Sequence, residues 1–484
     1  MTRAAEIRRQ LKHPIVDGDG HWLEPVPVFL EYLREIGGAK LVDDYMTGRR
    51  RPDAWYTASA EERQRKRMPR RLWWGVPSKT IDRATAMLPG LLHERLGELG
   101  VDFAVIYPSM CLPLTSLAQE DLRLASVRAY NRMTADLFAP YGDRLSPVAI
   151  LPCHTPVEAV EEAEFAVGQL GFKAAMVRGS LPRSSEDGSF KYVDTLGLDS
   201  PYDYDPLWQK CLDLKLAVTV HGGSLDWPDR TSMNNYVFNH LGHFAASNHA
   251  FARSVFLGGL VRRFPNLNFA FLEGGVGWAR QLLCDLIGHW EKRTPSALLR
   301  FTKPDVLDVD RLRELIQRYG DPRVKASVEA LFENIDAFNP ERTVEQLLER
   351  DPVPVDDFGR AGIESKAQLT QEFSRNFYFG CEADDPMTLC AFDRRLGIRL
   401  KPVFSSDISH FDVPDMTEVV PEAFEMVEHG HLDEGDFREF TFSNAVRLHG
   451  GMNPDFFVGT AVVREAHQEL ETVPLARRGG RGLG

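Results

Sequence analysis

Hydrophobic residues along this chain fall into short continuous runs that alternate with segments of helical periodicity. Val101–Pro108 is typical, because it follows a helix pattern that stops at Gly100 and is apolar at nearly every position. Such a run is expected for a strand that is buried on both faces. The same pattern predicts strands at 15–20, 101–108, 146–152, 174–179, 216–223, 267–275, 377–384 and 401–410.

Strands that alternate with helices predict a parallel sheet, and eight such units close naturally into a barrel. We therefore predict an α/β fold, a (β/α)8 TIM barrel, as a single domain over residues 1–472 with large insertions at about 38–80 and 295–375. A doubly wound open sheet is the alternative. It is weakened because polar residues end at least four strands, where a barrel would gather them into one pocket. The Gly/Arg-rich tail, 473–484, is expected to be disordered.

The first insertion, 38–80, has an irregular pattern. It contains the basic run Arg63–Arg71, which is followed by Trp73 and Trp74. Most charge runs of this kind are solvated surface loops. The alternative is a lid or subunit contact that presents cations to an acidic substrate.

The second insertion, 295–375, is long and charged. Val309–Tyr319 and Pro340–Arg350 alternate apolar and charged positions at helical spacing. We therefore predict that this insertion is largely helical and that it covers the barrel mouth or a subunit interface.

Composition narrows the class of protein. The formal net charge of −13 argues against binding nucleic acid through overall charge. We find neither a secretory signal nor an apolar run of about 18 residues, hence no membrane span. The cysteines form no C-x-x-C pair, which fits reduced thiols in a cytoplasmic protein. We expect a small-molecule substrate, no nucleic-acid or membrane partner, and a homo-oligomer, a dimer. The cysteines are Cys111, Cys153, Cys211, Cys284, Cys381 and Cys390.

Side chains that can bind a metal lie at the C-terminal ends of four predicted strands. They are Asp19 and His21 on the first strand, His221 on the fifth, Glu273 on the sixth and Asp407 on the eighth, with His410 close behind. A barrel builds its active site at this face, so these side chains should converge. Two histidines with two or three carboxylates suit a divalent metal with an open position for water. Singly, His221 could be a structural strand-end histidine and Asp407 a turn cap. If all of these residues were structural, four separate strand ends would have to carry ligand-type side chains by chance.

Proton-transfer candidates lie on strand six and in the segment that precedes it. His240 and His243 are three residues apart, so they would share a face of a helix. One of them could act as a general acid or base or bind a second metal, although both could also be structural. Glu273 is the stronger base, because it ends a buried strand and desolvation would raise its pKa.

Several motifs resemble a metal-dependent, amidohydrolase-related family of TIM-barrel enzymes. They are IVDGDGHWLEP (Ile15–Pro25), the HGG of strand five, FPNLNFAFLEGGVGW (Phe264–Trp278), SSDISH and SNAVRLHG (Ser443–Gly450). That family includes aminocarboxymuconate semialdehyde decarboxylase, resorcylate-type decarboxylases and carbon–carbon hydrolases of ring-cleavage products. The resemblance covers about residues 13–290 and 376–460. It implies the metal ligands Asp19, His21, His221 and Asp407.

Two departures from that family change the expected metal. Decarboxylases of the family commonly have a histidine where this chain has Glu273, and many relatives have His-x-His where this chain has Asp19 and His21. The site is therefore harder and more acidic. Zinc becomes less certain as the metal, and iron or manganese more plausible. We expect one or two ions.

The leading functional hypothesis is a metal-dependent enzyme that cleaves a carboxylated or cyclic small molecule by hydrolysis, carbon–carbon cleavage or decarboxylation. The metal would polarise the substrate or activate water, Glu273 or His240 would move the proton, and an Arg or Lys from the insertions would hold the acid group. The alternative is a non-haem iron oxygenase in secondary metabolism or catabolism, suggested by the surplus of ligand types. A catalytically silent scaffold is disfavoured by the intact ligand set.

Overall fold

The computed structural model describes most of the chain. The described residues are 1–50, 53–70, 75–225, 227, 230–301, 307–333 and 356–472. The predicted disordered tail, 473–484, lies outside them, as do Trp73, Trp74 and Pro340–Arg350.

Ten strands occur in the described part of the chain. They are β1 (Val16–Trp22), β2 (Phe103–Pro108), β3 (Leu145–Ile150), β4 (Ala174–Val177), β5 (Leu181–Ser184), β6 (Lys191–Asp194), β7 (Val218–Val220), β8 (Phe269–Phe271), β9 (Phe377–Glu382) and β10 (Pro402–Ser405).

Eight of these strands form one parallel sheet in the order β1-β2-β3-β4-β7-β8-β9-β10. The first and last strands also meet, because the N–H of Asp407 donates to the carbonyl of Asp19 (3.3 Å) and that of His21 to the carbonyl of Ile408 (3.2 Å). The sheet is therefore a nearly closed barrel. The predicted (β/α)8 TIM barrel is confirmed, and the open-sheet alternative is wrong.

Apart from β1, which carries Asp17, Asp19 and His21, the barrel strands are largely apolar because both of their faces are buried. Every residue of β2 is buried. On the outer face, the Phe271 ring packs against Phe377, Phe379 and Trp278 at centroid distances of 5.2 to 5.8 Å. Burying each such ring contributes roughly 1.5–3 kcal/mol to the stability of the fold. The packed core therefore holds the strand ends in place.

Helices surround the barrel. In the described residues none is long and apolar enough to cross a membrane. The α-helices are Arg3–Gln10, Val26–Arg50, Asp53–Thr57, Ala60–Lys66, Thr80–Met87, Pro89–Leu99, Glu120–Phe138, Pro156–Gly168, Asp205–Asp213, Tyr236–His240, His243–Leu257, Leu260–Arg263, Gly277–Arg293, Pro295–Phe301, Val309–Tyr319, Pro322–Ala326, Val328–Glu333, Asp357–Arg360, Lys366–Asn376, Leu389–Phe392, Val419–Glu428, Glu434–Arg438, Asn444–Gly450 and Val463–Glu471.

The first insertion is mostly helical up to Lys66, so the prediction of an irregular segment is wrong there, whereas the described residues 67–70 and 75–79 form no helix. The helix that begins at Val26 kinks at Gly38 (φ 76°) and continues to Arg50. Beyond the kink, its buried residues are Leu41, Val42 and Tyr45. The glycine pair at 37–38 interrupts the sequence pattern, and only packing against the core shows that the helix resumes.

The second insertion is also helical in its described residues, as predicted. Among the described residues, its N-terminal part, 295–333, contains four helices, and its C-terminal part contains two. Whether it covers the barrel mouth or a subunit interface stays a prediction.

A β-hairpin follows β4 that the sequence pattern did not predict. Strands β5 and β6 pair antiparallel, and Arg183 on β5 forms an ion pair with the buried Asp194 at 2.5 Å. These strands are four residues long and largely polar. They therefore lack the apolar run from which the barrel strands were predicted.

Candidate metal centre

The carboxyl ends of the strands place the predicted ligands at one end of the barrel. Asp19 and His21 lie on β1, His221 follows β7 directly, and Glu273 and Asp407 each lie two residues beyond a strand end. Asp19, His21 and His221 are at most 1% exposed. The side chains of Glu273 and Asp407 are 13% exposed, so they border the open side of the centre.

These side chains converge on the Nε2 atoms of two histidines. His21 Nε2 lies 3.6 Å from Asp19 Oδ1, 3.6 Å from Asp407 Oδ1 and 3.2 Å from His221 Nε2. His221 Nε2 lies 3.8 Å from Asp19 Oδ1 and 3.1 Å from Glu273 Oε2. The ligand atoms of Asp19, His21 and His221 are all within 4.8 Å of one another. The structure therefore brings together all five residues that the sequence analysis proposed as ligands.

Burial keeps both imidazoles neutral. It lowers the pKa of His21 well below its usual value and that of His221 to about 3. His21 Nδ1 lies 2.9 Å from the carbonyl of Pro108, to which the neutral ring donates its proton. His21 Nε2 is then left with a lone pair that faces the centre. This arrangement is usual for a histidine that binds a metal.

Two carboxyl groups of the centre, those of Asp19 and Glu273, each have an oxygen that no described residue satisfies. Among the described residues, neither Asp19 Oδ1 nor Glu273 Oε2 accepts a hydrogen bond, although both atoms are buried. Burial, together with the charge of Asp407, raises the pKa of both carboxyl groups well above their usual values. Buried carboxylates need a compensating cation. Oxygen and imidazole donors in this number fit a divalent metal ion.

His410 is part of the centre, although the sequence analysis assigned it no role. Its Nδ1 lies 2.5 Å from Asp407 Oδ1, and its Nε2 lies 3.3 Å from Ser109 Oγ. His21, Asp407 and His410 form a second group whose ligand atoms are within 4.8 Å of one another. The three-residue spacing of Asp407 and His410 in SSDISH was the available signal.

Glu382 and Arg178 are two further charged residues at strand ends that the sequence analysis did not select. Glu382 ends β9 beside Ser405, whose hydroxyl donates to Asp19 at 3.4 Å. Although Glu382 as a whole is exposed, desolvation of its carboxyl group and the charge of Asp407 raise its pKa to about 7. Arg178 follows β4 directly and is buried, and its guanidinium donates to Ser116 Oγ and to the carbonyl of Gly223 (3.4 Å).

His240 and His243 lie on different helices, so the prediction that they share one helix face is wrong. His240 ends one helix, His243 begins the next, and Gly242 (φ 63°) turns the chain between them. Their rings are nevertheless 5.0 Å apart. His243 is buried and packs on Phe244, which in turn contacts His221. His240 is exposed, and its charge, with that of His410, opposes the rise that burial causes in the pKa of Asp407.

The basic run of the first insertion packs against the segment that carries His240. The backbone N–H of Arg70 donates to the carbonyl of Ser232 (3.0 Å), and the Arg70 guanidinium lies over the rings of Trp55 and Tyr236. The described part of this run is therefore not a simple solvated loop. Contact with a substrate stays a prediction.

Comparisons with known proteins agree with this fold. Residues 94–342, more than half of the chain, match the amidohydrolase family model. An amidohydrolase structure from Mycobacterium avium subsp. paratuberculosis K-10 has a TM-score of 0.53 at 16% identity, covering 91% of this chain and 100% of that one. At this identity the likeness concerns the fold alone.

Two decarboxylase structures give lower scores. 2,6-Dihydroxybenzoate decarboxylase from Rhizobium has a TM-score of 0.48 at 15% identity, covering 90% of this chain and 98% of that one. A manganese-bound dihydroxybenzoic acid decarboxylase from Polaromonas sp. JS666 has a TM-score of 0.48 at 14% identity, covering 92% and 99%. A search of curated proteins found no match. The family match, together with the barrel, confirms the predicted resemblance: this chain belongs to the amidohydrolase family.

Proposed function

We propose that this protein is a metal-dependent enzyme that cleaves a carboxylated or cyclic small molecule by hydrolysis, carbon–carbon cleavage or decarboxylation. One observation carries the proposal. Asp19 Oδ1 is buried without a hydrogen-bond donor among the described residues, and it faces the Nε2 atoms of His21 and His221 at 3.6 and 3.8 Å. A buried carboxylate beside two neutral imidazoles is costly unless a cation joins them. The proposed ligands are Asp19, His21, His221 and Asp407.

The residues around this centre divide the remaining tasks. A bound divalent cation supplies a Lewis acid that polarises a substrate oxygen or acidifies a water. Glu273 would take up or give a proton, because its Oε2 lies 3.1 Å from His221 Nε2 and burial raises its pKa well above the usual value. His240 is the alternative proton carrier, since it is exposed and near Asp407. The guanidinium of Arg178, which donates to the carbonyl of Gly223 two residues after His221, would attract the acid group of a substrate.

Metal analysis of protein purified without added metal tests the proposal. Zinc or manganese near one equivalent would support it. Iron near two equivalents would favour the non-haem iron oxygenase, for which the second group of His21, Asp407 and His410 offers a further site. Asp19→Asn should lose the metal, whereas Asp82→Asn, the same change at a buried carboxylate outside the centre, should keep it. A wild-type protein that binds no Zn²⁺, Mn²⁺ or Fe²⁺ would contradict the proposal.

The role of Glu273 is tested separately with Glu273→Gln. If Glu273 carries the proton, the variant should keep its metal while kcat falls by about 10²–10⁴. If Glu273 is an additional ligand, metal occupancy should fall together with activity. Full metal content with full turnover would exclude both roles and would move proton transfer to His240 or His243.

We also propose that the enzyme is a single domain over residues 1–472 and works as a homo-oligomer, a dimer, in the cytoplasm. Light scattering after size exclusion measures the mass of the assembly directly. A mass near the 54.7 kDa of one chain would contradict the dimer.

A further inference from the structure

Asp17 is a buried acid of the first motif that has no place in the proposed ligand set. Its Oδ1 accepts the backbone N–H groups of Asp19 (3.2 Å) and Ser406 (3.1 Å). Its Oδ2 accepts the hydroxyl of Ser406 at 2.5 Å. Both oxygens are therefore occupied by donors of the protein itself, unlike Asp19 Oδ1.

The donors to Asp17 belong to the two backbone stretches that present carboxylates to the centre. One donor is the backbone of Asp19 itself, and the others belong to Ser406, the residue before Asp407. The Ser406 hydroxyl also accepts the N–H of Ile408, the residue after Asp407, at 3.3 Å. One buried carboxylate thus links β1 to the turn that follows β10.

That turn needs such support because Asp407 has a left-handed backbone conformation (φ 50°). This conformation costs free energy in a residue with a side chain and persists only where the surroundings hold it. Without the contacts through Ser406, the turn would lose part of what fixes the direction of the Asp407 carboxylate.

The first motif also leaves room for the side chain of Asp17. The register of β1 against β2 shifts between Asp17 and Gly20. A Cβ on Gly20 would lie 2.5 Å from Asp17 Oδ2, so glycine leaves room for the carboxylate. Within the sequence Asp-Gly-Asp-Gly-His, the first acid and the second glycine therefore form a unit distinct from the two proposed ligands.

We infer that Asp17 is a positioning residue of the metal centre, which joins the backbones of Asp19 and Asp407 so that their carboxylates keep the spacing that one cation requires. This inference rests on the proposed function. A carboxylate suits the role because it only accepts hydrogen bonds. An amide keeps only one acceptor oxygen, so the Ser406 hydroxyl would have to reverse and accept from the NH2 group instead of donating.

The test is the affinity of Asp17→Asn and Ser406→Ala for Zn²⁺, measured by competition with a chromophoric chelator. We expect each variant to bind Zn²⁺ about 10–100-fold more weakly, as is usual when a residue that orients a ligand is changed. The visible spectrum of the Co²⁺-substituted variants should also shift, because it reports ligand geometry rather than stability. Asp82→Asn is the matched control, since Asp82 is equally buried but pairs with Arg95. It should keep the wild-type affinity and spectrum.

The outcomes separate this inference from the proposed function. Wild-type affinity and spectrum in Ser406→Ala, and in Asp17→Asn if it folds, would overturn the inference alone. An equal loss in Asp82→Asn would also overturn it, because the effect would then be general destabilisation. A wild-type protein that binds neither Zn²⁺ nor Co²⁺ would overturn the proposed function and this inference together.

Discussion

Replacing Asp19 with asparagine should raise the free energy of unfolding of the metal-free protein and lower that of the metal-loaded protein. Asp19 Oδ1 and Asp407 Oδ1 each lie 3.6 Å from His21 Nε2, so they are at most twice that distance apart. Two like charges about 7 Å apart at an effective dielectric constant of about 20 repel by about 2 kcal/mol. Protonation already relieves part of this repulsion, because burial and the charges of Asp407 and Asp17 raise the pKa of Asp19 well above its usual value. We therefore expect a gain of about 1–2 kcal/mol in the free energy of unfolding without metal.

The pH dependence has a definite sign. Folded Asp19 keeps its proton to higher pH than the unfolded chain does. Its contribution to stability is therefore present below about pH 4 and is lost as pH rises toward its folded pKa. In metal-free protein, Asp19→Asn should flatten this part of the dependence of stability on pH.

Calorimetry in EDTA and in excess Zn²⁺ measures both effects. An unfolding entropy of about 2.1 cal/mol/K per residue makes 1–2 kcal/mol worth a rise of about 1–2 °C in melting temperature for this chain. Zn²⁺ at one hundred times its dissociation constant should add about 2.7 kcal/mol to the wild type and less to the variant, so their order should reverse. If the variant melts below the wild type in EDTA, the Asp19 carboxylate stabilises the fold and the reasoning is refuted. An equal gain from Zn²⁺ would show that Asp19 is not a ligand.

Three further predictions concern residues outside the ligand set. Asp82→Asn removes the buried partner of Arg95 (2.9 Å) and should cost about 3 kcal/mol of stability in thermal unfolding, and a change below about 0.5 kcal/mol would contradict this. Burial raises the pKa of Glu24 to about 7, so the stability tied to its protonated form is present below about pH 4.5 and lost as pH rises through 7. Glu24→Gln should flatten that dependence in melting curves, and an unchanged profile would show that Glu24 is not its source. Gly20→Ala places a Cβ 2.5 Å from Asp17 Oδ2 and should weaken Zn²⁺ binding about tenfold in the chelator assay, which wild-type affinity would disprove.

Hydrophobic periodicity, together with the polar residues at the strand ends, was enough to predict the barrel and the convergence of those ends. The apolar run Val101–Pro108 predicts a strand buried on both faces, and eight such runs separated by helices favour a barrel over an open sheet. Once the barrel is assumed, Asp19, His21 and His221 must meet, because the carboxyl ends of parallel strands lie at one face. This part of the site follows from local pattern and topology.

Tertiary structure decided what the local pattern could not. Asp17 and Asp19 occupy similar places in the same motif, yet Asp17 accepts backbone N–H groups and Asp19 faces the centre. Their partners, Ser406 and Ser405, lie almost four hundred residues away at the end of the last strand. The three-residue spacing of His240 and His243 predicts one helix face, but the left-handed Gly242 puts them on two helices. The physical reason is the same in each case. Spacing along a chain determines which face of an element a residue occupies, whereas hydrogen-bond partners, burial and backbone turns depend on what the rest of the chain packs against that face.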